Sequence, residues 1–222
     1  MSETVTQPTP PDRANMHPIR LVVADDLKRS RLSVFFRMIL AYPLFWWVAI
    51  WGFAASFALV AQWFYLLFTG HPAHGLHRFL SRYQRQYAHA LAYFHLLANP
   101  YPHFSGLAGD YPVDLEIDGP APQARWKTLL RIILVIPAYV LAYIFQYLGL
   151  IVSVLMWIVA VIMGRVPRGL RDFSAYLLRY QLQTFAYLFL LTDRYPALST
   201  PDPKGPVEVV PPPRPTLTGE YV

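Results

Sequence analysis

The sequence predicts a mainly α, membrane-embedded helical bundle made of two tandem repeats, each a short strand, a long Pro-started helix and a basic, aromatic second helix. Three observations carry that prediction. Residues 17–105 align with 111–199 without a gap at a constant offset of 94, and 22 of the 89 paired positions are identical. A gapless register through that much substitution marks duplication of a whole folding unit. Apolar residues make up 55% of the chain and charged residues 14%, against about 25% charged in an average soluble domain. Finally, 38–69 and 132–163 each run 32 residues without a charged side chain, well beyond the roughly 20 apolar residues that cross a bilayer.

The layout is a polar, Pro-rich tail (1–16), repeat one (17–105), repeat two (111–199) and a second Pro-rich tail (200–222). Both tails lack an apolar period and read as disordered. The PPPRP run at 211–215 is read as solvated tail in preference to a polyproline ligand. Residues 1–15 contain no apolar core of a cleavable signal, so the first apolar segment is expected to act as an uncleaved insertion signal. The absence of cysteine excludes disulfides, cysteine metal sites and thiol catalysis.

Each repeat opens with period-two alternation: Ile19, Leu21 and Val23, then Val113, Leu115 and Ile117. This reads as a strand. A lone strand is unstable, so the two are expected to pair with each other, which demands an even number of crossings per repeat. A basic, partly apolar stretch follows (31–42 and 125–136), in which Arg37 and Arg131 are expected to reach headgroups from an interfacial half-helix. Pro43 and Pro137 then occupy equivalent positions and are expected to start the main helix. Gly70 and Gly164 are expected to stop it. The last element, 76–98 and 170–192, carries Arg78, Arg82, Arg85 and His89 on one stripe in the first copy, with Arg179 persisting in the second.

Seven Lys/Arg and one acid fall in 71–90 and 165–184, while the rest of the chain balances at 12 and 12, so the whole net charge of +6 follows the long helices. Basic residues also flank their starts, and the positive-inside rule therefore pulls both ways. A re-entrant hairpin bending at Gly52 and Gly149 is one resolution. The lack of Pro, Asn or Asp at such a bend favours one crossing by the long helix and one by the helix after it.

Chemistry is sparse. His71, His74 and His77 have metal-like spacing, but their counterparts are Arg165, Arg168 and Arg171. Arginine does not replace an imidazole ligand, so the shared property is basicity and no metal is expected. Arg78, Arg82, Arg85, Arg165, Arg168, Arg171 and Arg179 are the candidate contacts to anionic headgroups. Asp172, inside a candidate helix, is expected in an ion pair, with Arg168 or Arg171 preferred over Arg78. A lipid-modifying centre would need Asp172 within reach of those histidines. Gln62, Gln146, Gln181 and Gln183 would line the path of a small transporter or channel subunit. No phosphate loop, HExxH or GxSxG is present, so neither enzyme activity nor a cofactor is expected. Trp46, Trp47, Trp51, Trp63 and Trp157 suit interfacial belts and helix packing.

The YP opening with its alternation (111–117), the RIILVIP entry (131–137), the turns FTGHPAHGLHRF (68–79) and MGRVPRGLRDF (163–173) and the closing LLTDRYP (190–196) resemble those of a bacterial membrane-protein family, domain of unknown function 4389. The likeness covers all but the tails. The first copy departs from it with His17 for Tyr and ANPYP for TDRYP. It implies a multi-pass protein of the bacterial cytoplasmic membrane and no catalytic residues. The resulting expectation is a non-enzymatic organiser of anionic lipids, of a membrane-protein partner or of further copies of itself, with no role for nucleic acid.

Overall fold

A computed structural model describes residues 17–24, 27 and 29–198. The two predicted tails, the turn residues Asp25 and Asp26, and Lys28 and Ser199 lie outside the described residues. The elements run β1 (Ile19–Val23), α1 (Arg31–Phe35), α2 (Arg37–Thr69), α3 (His74–Phe94), β2 (Val113–Ile117), α4 (Arg125–Met163) and α5 (Arg168–Leu188). Each element of the second copy starts and ends 94 residues after its counterpart, except that α4 is one helix where the first copy has α1 and α2.

The strands pair as their isolation demands. They are antiparallel, with Ile19 opposite Ile117 and Leu21 opposite Leu115, its own counterpart in the repeat. Alternation puts Ile19, Leu21, Val113 and Leu115 in the core, where they meet Leu80, Ala88, Leu178 and Leu182 of α3 and α5. The outer face carries Arg20, bound to Glu116 and Asp118 at 2.9 Å each. Ala24 N–H donates to Pro112 O and Asp118 N–H to Pro18 O. These two bonds are equivalent under exchange of the copies, so a pseudo-twofold axis runs through the centre of the strand pair.

The long helices do not start at the prolines. Pro43 lies inside α2 and Pro137 inside α4. An interior proline removes one backbone bond and costs about 3 kcal/mol, yet the turn ahead of each is anchored. Arg37 and Arg131 are buried, and Trp157 Nε1 donates to Val34 O at 2.9 Å as Trp63 Nε1 does to Thr128 O at 3.0 Å. Those contacts hold the arm in helical register through the proline. Only Phe36 interrupts the first copy, and its N–H still donates to Leu32 O; Phe35 and Phe36 are weaker helix formers than their counterparts Leu129 and Leu130 in the second copy. Both long helices do stop at Gly70 and Gly164, which take the left-handed conformation, φ 76° and 71°, open to glycine without penalty. Neither helix bends into a hairpin at Gly52 or Gly149; both residues are helical.

The second helices begin two residues and end four residues before their expected bounds. Their ends are set by Leu96 and Leu190, both left-handed (φ 55° and 60°). In each case the next N–H reaches back, Leu97 to Ala92 O and Leu191 to Ala186 O, the six-to-one bond of a Schellman turn.

Three layers result. The strand pair covers α3 and α5, which in turn cover one narrow stripe of α2 that includes Ala41, Leu44, Val48 and Ala55 and one of α4, whose Val152, Met156 and Ala160 also pack on Val34 of α1, Leu96 and Val166.

Candidate functional site

The remaining faces of α2 and α4 are apolar and uncovered. Phe53, Phe57 and Phe68, and Ile132 and Ile162, are 64 to 73% exposed. Among the described residues, the exposed large apolar side chains outside 31–69 and 125–163 are Tyr101, Phe104, Leu107, Phe173, Tyr195 and Leu198. Soluble monomers rarely expose a contiguous apolar patch beyond a few hundred Å², and this one follows two helices of 33 and 39 residues, both long and apolar enough to cross a membrane. The aromatic residues cluster there too: Trp47 Nε1 donates to Phe104 O, and Trp51 packs on Phe79 and Tyr83.

The ends of the two helices are tied reciprocally. Besides the two tryptophan bonds, Gln123 N–H donates to Gly70 O and Arg29 N–H to Gly164 O, each at 3.0 Å. The start of each long helix therefore lies against the end of the other. Arg125 and the His71–Arg78 segment share one end of the molecule; Arg31 and the Arg165–Asp172 segment share the other.

The seven candidate arginines occupy different environments. Arg78, Arg82, Arg165 and Arg168 are exposed at these ends and along α3. Arg85 is half-buried and donates to Leu115 O at 3.0 Å, holding β2 on α3. Arg179 is 5% exposed, lies over the Tyr176 ring and donates to Leu198 O. Arg171 pairs with Asp172 at 2.7 Å, the neighbour expected for that carboxylate. The stripe predicted on α3 exists, but it runs from solvent at Arg78 to beneath the sheet at His89, whose Nε2 lies 3.0 Å from Asp114 Oδ1. Burial alone would raise the Asp114 carboxyl; hydrogen bonds with His89 and from Gly109 N–H outweigh it and hold the group below its ordinary value.

The three histidines do not converge. His71 Nδ1 lies by Thr69 O, His74 is exposed, and His77 is buried with Nε2 3.4 Å from Leu191 O, where burial lowers its pKa. Asp172 is at the opposite end of the molecule from all three. The glutamines also part: Gln146 is exposed, Gln183 holds Ile19 O and Ala197 N–H, and Gln62 is fully buried with no partner for its amide. Gln181 is buried in α5.

Arg37 and Arg131 take a role that composition concealed. Neither reaches outward: they are 1% and 2% exposed. Arg37 donates to Tyr93 O and Asn99 O with its guanidinium 4.3 Å above the Tyr93 ring. Arg131 donates to Tyr187 O and Thr192 O at 4.4 Å above Tyr187, and to Gln123 Oε1 and Asp193 Oδ1. Each guanidinium thus fills the carbonyl-rich turn behind α3 or α5, where cationic donors suit the helix end. The signal was in the repeat: Arg37 and Tyr93 are among the few identities kept in both copies, as Arg131 and Tyr187.

A family profile described as domain of unknown function (DUF4389) matches residues 31–106 and again 125–199. No curated protein matches the chain significantly, and neither does any solved structure.

Proposed function

Because the chain belongs to the DUF4389 family, with two tandem copies of its domain, we propose that it is a non-enzymatic protein of the bacterial cytoplasmic membrane that gathers anionic lipid around a rigid two-copy scaffold. The exposed apolar faces of α2 and α4 carry this reading. Hydrocarbon removes from water the side chains that the fold leaves uncovered, at about 25 cal/mol per Å². Arg78, Arg82, Arg165 and Arg168 rim those faces, where each basic side chain near an anionic surface contributes about 1 kcal/mol.

The membrane part is tested by alkaline carbonate washing of cells expressing the full chain: retention in the pellet and release only by detergent are expected, and release by carbonate refutes it. The lipid part is tested by replacing the four exposed arginines with glutamate and weighing the lipids that co-purify. The ratio of anionic to zwitterionic lipid should fall at least threefold; an unchanged ratio removes the lipid-gathering role.

A further inference from the structure

We infer that α2 and α4 do not cross the bilayer but lie along it within one leaflet, so that the strand pair and both ends of both long helices face the same aqueous phase. This rests on the membrane seat proposed above and replaces the multi-pass arrangement that length and composition suggest.

The tied ends supply the geometry. Val34 bonds Trp157 and Thr128 bonds Trp63, so in each copy a helical segment of about 44 Å, running through α1 and α2 in the first and within α4 in the second, separates the two ties at 1.5 Å per residue. Rods of that length in contact at opposite ends are antiparallel. A twofold axis that exchanges antiparallel rods is perpendicular to both. The strand pair sits on that axis, because Leu21 faces its own counterpart Leu115; it is therefore level with the middle of the long helices. If α2 and α4 crossed the membrane, the axis would lie in the membrane plane and the strand pair would sit at mid-bilayer depth. Arg20, Asp114, Glu116 and Asp118 would then be held at the depth where ionised groups are least tolerated. With the axis along the membrane normal, the strand pair points to water and the uncovered faces of α2 and α4 point into lipid.

Length, charge and thickness agree. An uncharged run of 32 residues is about 48 Å long and still spans about 37 Å at a 40° tilt, against roughly 30 Å of hydrocarbon. The basic flanks at the two ends of each helix, Arg31 and Arg125 at the starts and Arg165 and Arg78 beyond the stops, fall on one side of the membrane, so the positive-inside rule no longer pulls both ways. One helix layer, about 10 Å thick with its side chains, fits in a leaflet of roughly 15 Å. The next layer, α3 and α5, then lies at headgroup depth, where Arg78 and Arg82 emerge. The described end of the chain also belongs to the sheet side: Ala197 N–H donates to Gln183 Oε1, and the same amide donates to Ile19 O in β1.

The chain has no cysteine, and a Cβ added at Gly75, Gly119 or Gly169 meets nothing within 4 Å. Gly75 follows the stop of α2, Gly169 follows the stop of α4 at the opposite end, and Gly119 follows β2. Single variants G75C, G119C and G169C of the full chain, in right-side-out and inside-out membrane vesicles, are treated with a membrane-impermeant maleimide. All three are expected to label from one and the same face, at least tenfold faster than from the other. Gly75 and Gly169 positions labelling from opposite faces overturns the inference, as does protection of any of the three from both faces. Carbonate release of the same variants would instead refute the membrane seat, so the two failures are distinct.

Discussion

The two copies build the same turn behind α3 and α5 from different charges. In the first, Arg37 is joined by Arg29, whose Nη2 donates to Leu96 O. In the second, Arg131 is joined by Gln123, whose Nε2 donates to Leu190 O at the same 2.8 Å. Asp193 then adds a carboxylate to Arg131 and Lys127, where the first copy has Asn99. Geometry is shared while electrostatics is not. What the turn requires is donors for its orphaned carbonyls; the sign and balance of the charges that supply them is free to drift. Arg37/Arg131, Tyr93/Tyr187 and Leu96/Leu190 are among the pairs identical in both copies because ring, guanidinium and left-handed leucine act as one unit.

Breaking that unit should separate the copies. Arg131→Met takes the donor from Tyr187 O, Thr192 O and Gln123 Oε1 and leaves Asp193 paired with Lys127 alone, a loss of about 3–5 kcal/mol. Arg37→Met strands carbonyls alone, about 1–3 kcal/mol. Thermal unfolding in detergent micelles, followed by tryptophan fluorescence, should rank Arg131→Met as the more damaging; equal losses would show that Asp193 adds nothing to the second turn.

The next largest difference is a histidine. His95 closes α3 beside Ser153, while its counterpart in the second copy is Phe189. Burial pushes the His95 imidazole down to about 4. Its folded form therefore stays neutral while the unfolded chain takes up a proton below about pH 6.5. Its contribution is complete above that pH and lost progressively towards pH 4, to about 3 kcal/mol. His95→Phe, the residue of the other copy, should flatten this part of the stability profile between pH 7 and 4.5; an unchanged slope would show that His95 does not titrate as placed.

The smallest effect points the other way. Gln62 is fully buried with its amide unpartnered, and its counterpart is Met156, equally buried. Gln62→Met should stabilise the chain by about 1 kcal/mol, since burying an unpaired amide costs at least that much. A lower unfolding temperature would mean that the amide finds a partner.

Much of the fold was legible. Period two named the strands, and the repeat paired them, because neither could be stable alone. The glycines that end the long helices were legible because a left-handed residue after a helix favours glycine. The prolines misled because local propensity was overridden by anchored turns ahead of them. The left-handed leucines were not foreseeable: Leu96 and Leu190 adopt φ near 60° only because arginines from another helix hold the turn they make. Within the candidate site, the basic residues were legible, but not which of them stay exposed. Arg85 and Arg179 look the same in sequence but lie against a strand and the closing loop, and a helical stripe does not reveal what crosses over it.

By itself the sequence determined the duplication, the element types and the amount of apolar surface, because periodicity and composition act within a segment. Tertiary structure decided which arginines are buried, which end of each long helix meets which, and where the strand pair stands relative to them. Those depend on contacts between residues such as Arg37 and Tyr93, 56 positions apart, and Trp157 and Val34, 123 apart, and no local pattern encodes the direction in which two such distant segments meet.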